Sequence, residues 1–191
     1  MRDPASHRPG DDGPPGDADA LSVAPEPFAS PVASALLAAA LAELVARYGP
    51  GPHDPAPTAA EEEADRLHRP LAAADFSAPG GIFLVGRRGG RPVGCVGLRP
   101  FEGSAAEVKR LWVDPGERGA GVARRLMAEV EAAAAALGYR RLVLETGGRQ
   151  PEAIALYESS GWTRVPPYFG APRHETSVYF DKVLEPPGPD A

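Results

Sequence analysis

Apolar positions along the chain change period several times, and each change marks an element. Residues 21–27 read as a short first strand, with Pro25 and Pro27 at its end. Ser30 followed by Pro31 reads as an N-cap and first helical residue, and Gly49 as the stop. Between them Leu37, Leu41, Leu44 and Tyr48 form one helical stripe. Residues 49–57 are loop, after which Thr58 and Glu61 make a capping box that opens a short polar helix to about His68. Apolar runs at 82–86 and 92–98 flank the turn RRGGR and predict a hairpin, and 106–113 adds a third strand after a turn at 101–104. From 119 to 137 the period becomes helical: Val122, Leu126, Val130, Ala133 and Leu137 form the stripe of a helix laid on a sheet.

Gly138 ends that helix, and 140–146 follows as a buried strand. Gln150 and Pro151 open another helix that Gly161 stops, and 162–165 and 177–184 close the pattern as two strands around a Pro-rich loop. Strands 106–113 and 140–146 flank a crossover helix, so they are expected to be parallel neighbours. The class is α/β, with a mixed, mostly antiparallel sheet and helices on both faces.

Composition trims this picture at both ends. The first 20 residues hold seven Gly or Pro and five Asp and carry −3, half of the formal net charge of −6. So polar a segment cannot bury enough surface to offset its ordering entropy, and it is expected to be a disordered tail, as is 185–191. The globular span is then 21–184. The single cysteine, Cys95, excludes a disulfide scaffold and a cysteine-built zinc site, and no metal is expected. Its apolar surroundings suit a small buried hydrophobe. Net acidity argues against a nucleic-acid partner held by bulk charge. The apolar stretch 36–46 is short for a membrane span and carries Glu43, and no apolar run follows the start, so a cytoplasmic protein without a membrane partner is expected.

The strongest chemical signal is the run RGAGVA at 118–123, between a strand and a helix. The first N–H groups of a helix have no intrahelical acceptor, so an anion can sit on them; glycines let a phosphate reach the backbone, and Arg118 adds charge. A P-loop would need Lys and Ser or Thr after the glycines, and a dinucleotide fingerprint would need a small residue where Arg124 stands.

With its partner downstream, this run resembles the GNAT N-acetyltransferases, which move an acyl group from acyl-CoA to an amine. Their Arg/Gln-x-x-Gly-x-Gly/Ala signature is matched by Arg118, Gly121 and Ala123. A second signature, Asn-x-x-Ala-x-x-Leu-Tyr-x-x-x-Gly-aromatic, is matched by Ala153, Leu156, Tyr157, Gly161 and Trp162, with Gln150 replacing the usual Asn. The likeness is good over about 80–184 and loose before it.

The resemblance implies the GNAT fold, acetyl-CoA as cosubstrate, and an amine as acceptor, in a monomer or homodimer. It implies that the pantetheine arm pairs with the backbone of Leu111, Trp112 and Val113, where one N–H also polarises the thioester carbonyl. Pyrophosphate oxygens would take the N–H groups of Arg118, Gly119, Ala120, Gly121, Val122, Ala123 and Arg124, with Gln150 and Ala153 on the facing helix. Tyr157 stands at the family's proton-donor position for the leaving thiolate, and its phenol, with an ordinary pKa of about 10, suits that role.

Glu107 is the candidate general base. Simple alternation places it with Lys109 and Leu111, opposite Val108, Arg110 and Trp112. Its alternative is a solvated carboxylate, with water relaying the proton. The acceptor side falls to 49–76 and 166–177, where the acidic run from Glu61 to Glu63 with Asp65, Tyr168 and Phe169, and His174 with Glu175 are the notable groups. Two functions stay open: an N-acetyltransferase acting on a small molecule or a protein amine, and a non-catalytic acyl-CoA-binding module.

Overall fold

The computed structural model of the chain describes residues 20–49, 72–168 and 176–184. The expected tails, the polar helix opened by Thr58 with its acidic run, and Phe169, His174 and Glu175 all lie outside the described residues, save Ala20 at the edge of the first tail.

Seven strands make one sheet: β1 (Leu21–Pro25), β2 (Ile82–Arg88), β3 (Arg91–Pro100), β4 (Ala105–Val113), β5 (Arg141–Gly147), β6 (Thr163–Val165) and β7 (Ser177–Val183), in the order β1-β2-β3-β4-β5-β7-β6. All neighbours are antiparallel except β4 and β5, which are parallel, as a crossover helix between them requires. That helix, α2 (Val122–Ala136), and α3 (Pro151–Ser159) pack on one face, and α1 (Pro31–Tyr48) on the other. Gly89 and Gly90 take positive φ in the β2–β3 turn, which lets a two-residue connection follow the strand twist.

Each face has its own core. On the α2–α3 side Val96, Leu98, Val108, Leu126, Val130, Leu142, Leu144 and Phe180 are buried together. On the α1 side a smaller cluster joins Ala33, Leu36, Phe83, Val85 and Cys95 to Phe76, which sits in a 3-10 turn (Ala73–Phe76) that the residue pattern does not announce. Phe28 stacks on Phe76 with ring centroids 4.5 Å apart and meets Phe83 edge-on. A Cβ at Gly97 would stand 2.6 Å from the Phe76 ring, so the bare backbone there makes room for this cluster.

The buried stripe of α1 differs from the expected one. Ser30 caps the helix by accepting from the Ala33 N–H, and Gly49 ends it at φ 92°, but the buried residues are Ala33, Leu36 and Ala40, while Leu41 is 58% exposed. Small residues set the register because an alanine face lets the helix lie close to the sheet. By length and composition alone α1 could cross a membrane. Yet its Glu43 is bonded to Trp112 of β4, as in a helix lying on a sheet.

Strand β4 departs from simple alternation. Its ladder with β3 slips between Cys95 and Gly97, and Arg110 takes a φ of 60°, so two residues oppose one and the strand bulges. The extra residue exchanges faces beyond it. Leu111 and Val113 therefore join Val108 on the α2–α3 side, and Trp112 turns to the α1 side. Placing Leu111 on the face of Glu107 is thus corrected: the alternation rule assumes an unbroken ladder.

Candidate functional site

Strands β4 and β5 share only three rungs, Ala105 with Arg141, Ala106 with Leu142 and Glu107 with Val143. Beyond them the strands part, so the stretch from Val108 to Val113 has no β5 partner and its backbone forms an open edge inside the sheet. The turn after β4 then brings the start of α2 up to this edge. Asp114 accepts from the Gly116 N–H at 2.8 Å and shapes the turn; Gly119 and Gly121 take positive φ, with nothing within 4 Å of where a Cβ would stand. Gly121 is the N-cap of α2, and the first helical bond runs from the Arg125 N–H to the Gly121 carbonyl at 3.0 Å. The N–H groups of Val122, Ala123 and Arg124 are left facing outward with the positive end of the helix dipole. Opposite lies α3, entered through Gln150, whose own N–H donates to the Gly147 carbonyl.

These parts enclose a cleft of about 530 Å³. Leu111, Trp112, Val113, Arg118, Gly119, Gly121, Val122, Ala123, Arg124, Gln150 and Ala153 all line it; of the proposed cosubstrate residues only Ala120 does not. Arg118 has less to offer a ligand than the sequence suggests. Its N–H is engaged with the Pro115 carbonyl at 3.4 Å, and its guanidinium donates from Nε and Nη2 to the Val113 carbonyl. The free donors at this end of the cleft are therefore the helix-start N–H groups of Val122, Ala123 and Arg124.

The two proton-transfer candidates do not line the cleft. Tyr157 is on the inner face of α3, 6% exposed, with its ring 5.4 Å from Phe180 and 6.0 Å from Trp162. Its hydroxyl makes no hydrogen bond among the described residues, and burial pushes its pKa above that of a free phenol, so it stays protonated. Glu107 is wholly buried on the α1 side. It accepts from Arg99 Nε at 2.8 Å and Nη2 at 2.7 Å, from Tyr168 at 2.8 Å, and pairs with Lys109 at 2.6 Å. Burial by itself would raise its pKa and is the largest single influence; Lys109, Arg99 and Tyr168 together outweigh it and hold the carboxyl below its ordinary value. A carboxylate so held is a weak base, and the geometry suits an anchor joining β3, β4 and the loop after β6.

Cys95 is buried in the α1-side core, its Sγ 3.4 Å from the Arg110 carbonyl, and burial pushes its thiol up to about 12. It has no thiolate character at neutral pH. Among the described residues no group of His, Cys, Asp and Glu is arranged to hold a metal.

Three acidic residues that the sequence does not single out also line the cleft: Glu43, Glu117 and Glu152. Glu117 is paired with Arg88 at 2.9 Å and with Arg91. Glu43 reaches the site from α1, with more than sixty residues between it and Arg118. The one signal of it in the sequence is a single charge within the apolar stretch 36–46.

Comparison with known proteins agrees with this architecture. The model of the acetyltransferase (GNAT) family matches residues 38–162, more than half of the chain. An IAA acetyltransferase of Azospirillum brasilense is 40% identical over 103 residues, covering 53% of this chain and 67% of that protein. Among solved structures, a GNAT-family acetyltransferase of Staphylococcus aureus aligns over 87% of this chain and all of its own with a TM-score of 0.63 at 14% identity. A GNAT acetyltransferase of Elizabethkingia anophelis with acetyl-CoA bound aligns over 86% of this chain and 98% of its own with a TM-score of 0.56 at 17% identity. At such identities the structural likeness speaks for the fold. Open strand edge, glycine turn, helix start and family match together lead to one conclusion: the chain belongs to the acetyltransferase (GNAT) family.

Proposed function

We propose that this protein is an acetyl-CoA-dependent N-acetyltransferase whose acceptor is an amine on a small molecule. The observation that carries the reading is the convergence of the β4 stretch that lacks a β5 partner and the start of α2 on one cleft. The edge offers alternating N–H and carbonyl groups to the amides of a pantetheine arm, which would lie between β4 and β5 as an added strand. The outward N–H groups of Val122, Ala123 and Arg124 suit a pyrophosphate. Acetyl-CoA is bound by the Elizabethkingia neighbour of the same fold.

In the proposed reaction the amine nitrogen attacks the thioester carbonyl, the carbon–sulfur bond breaks, the sulfur takes a proton from the Tyr157 hydroxyl, and the proton that the nitrogen sheds as the amide forms returns through cleft water to the Tyr157 oxygen. An N–H of the Leu111–Val113 edge stabilises the developing oxyanion. The acceptor's ammonium, with a pKa of about 10, must first lose a proton. With Glu107 held by three partners, that proton leaves to water in the cleft.

A thiol-release assay with acetyl-CoA tests the reading against a panel of amino acids, polyamines, aminoglycosides and peptides. Release above background with at least one small amine is the expected result, and release with peptides alone would move the acceptor class to protein amino groups. Acetyl-CoA binding by calorimetry without release for any acceptor would make the protein a binding module. Gly121→Val addresses the cradle directly. A β-branched residue at φ 80° is strained and covers the helix start, so acetyl-CoA affinity should fall by about 10-fold or more. Unchanged affinity would remove the phosphate assignment.

A further inference from the structure

The cleft contains its own anion. Arg118 Nη2 is 2.5 Å from Glu43, whose other carboxylate oxygen is 3.1 Å from Arg47, and Arg47 is 2.5 Å from Glu152. The chain of alternating charge runs from the turn before α2, through the last turns of α1, to the first turn of α3. Of its members Arg118, Glu43 and Glu152 line the cleft. Trp112 Nε1 donates to the same Glu43 carboxylate at 3.0 Å, which fixes the head group's position. Arg118 and the Trp112 indole hold Glu43 in its charged form.

We infer that Glu43 is an affinity- and selectivity-setting residue, a fixed charge in the same cleft that repels the phosphates of the cosubstrate and competes with them for Arg118. The inference rests on the acetyl-CoA reading above. The carboxylate satisfies Arg118. When a pyrophosphate settles on the start of α2, its charge meets that of Glu43 in the same cleft, and Arg118 has a second anion to serve. Part of the attraction the site could exert is thereby cancelled. A ligand that relies on phosphate charge alone is held weakly, whereas one that also lays an arm along the β4 edge gains contacts that Glu43 does not oppose.

The test compares acetyl-CoA with S-acetylpantetheine, which has the arm and no phosphate, by calorimetry on the wild type, Glu43→Gln and Glu43→Asp. Glu43→Gln keeps the shape and a hydrogen-bond acceptor for Trp112. It should bind acetyl-CoA about 3- to 10-fold more tightly at low salt, as expected for removing one like charge from a partly solvated anion site. The gain should shrink as salt is raised and be absent for S-acetylpantetheine. Glu43→Asp, with its charge drawn back by one methylene, should gain less than Glu43→Gln, and melting temperatures establish that both variants are folded. Equal or weaker acetyl-CoA binding by Glu43→Gln overturns the competitor role, and so does an equal gain for S-acetylpantetheine. A wild type that does not bind acetyl-CoA at all overturns the cosubstrate reading itself, a result distinct from either of these.

Discussion

Glu107→Ala should lower the stability of the protein by about 3–5 kcal/mol, the cost of removing one partner from a buried ion pair. Arg99 and Lys109 are nearly buried and both close on this one carboxylate. Without it Arg99 and Lys109 face each other across β3 and β4 with Glu145 3.9 Å from Lys109, and the Tyr168 hydroxyl loses the bond it donates to Glu107. In a chain of this size the melting temperature should fall by roughly 10 °C or more. The pH dependence has a definite sign. The folded carboxyl lies below its ordinary value, so its contribution is present above the ordinary carboxyl range and is lost as pH falls through the lowered pKa. Urea unfolding at neutral pH and in acid should show the gap between wild type and variant narrowing in acid. A gap that is small at neutral pH would show that the cluster is not an anchor. Glu107→Gln gives the complementary kinetic result: a folded variant that keeps the acid limb of the pH–rate profile agrees with an anchor, and loss of that limb returns Glu107 to the role of base.

The second large effect is on turnover. Tyr157→Phe should reduce kcat by about 100-fold or more, within the usual range for a removed general acid. Acetyl-CoA affinity should stay within about two-fold, because the contacts proposed for the cosubstrate are made by other residues. Stability should change little, since the hydroxyl makes no hydrogen bond among the described residues and the ring contacts to Trp162 and Phe180 persist in phenylalanine. The measurement is steady-state kinetics beside calorimetry on the same preparation. Undiminished kcat would leave Tyr157 as a core residue and place the proton donor elsewhere.

Features written into neighbouring residues were legible in the sequence. The glycines of the α2 turn, the proline-started helices and the alternation of strands and helices all depend on local backbone preference, and each stands within a residue or a few of its expected position. Features decided by long-range packing were not. The stripe of α1 is set by which alanines meet the sheet, and leucine periodicity points instead to the exposed Leu41. Arg110 adopts a φ that glycine or asparagine would advertise, so nothing local marks the bulge. Glu43 and Glu107 differ in the same way. Both are carboxylates on regular elements, and what separates a cleft residue from a buried anchor is the company supplied by distant segments: Arg118 and Trp112 for one, Arg99 and Tyr168 for the other.

The bulge in β4 gives that strand two reading frames. Before Arg110, Glu107 and Lys109 turn toward the α1 side, and after it Trp112 does, with the open edge beginning between them. The bulge at this point, more than any side chain there, determines which face each residue addresses. Exchanges of similar size along β4 would leave the assignment intact. Ironing out the bulge with the strand's length unchanged would exchange the positions of Leu111 and Trp112, putting the indole into the α2–α3 core and parting it from Glu43, whereas loss of Arg110 would restore plain alternation with both on the faces they now hold. The one-residue excess is thus a counting device, by which a single strand anchors a buried ionic cluster with one half and lines the cleft with the other.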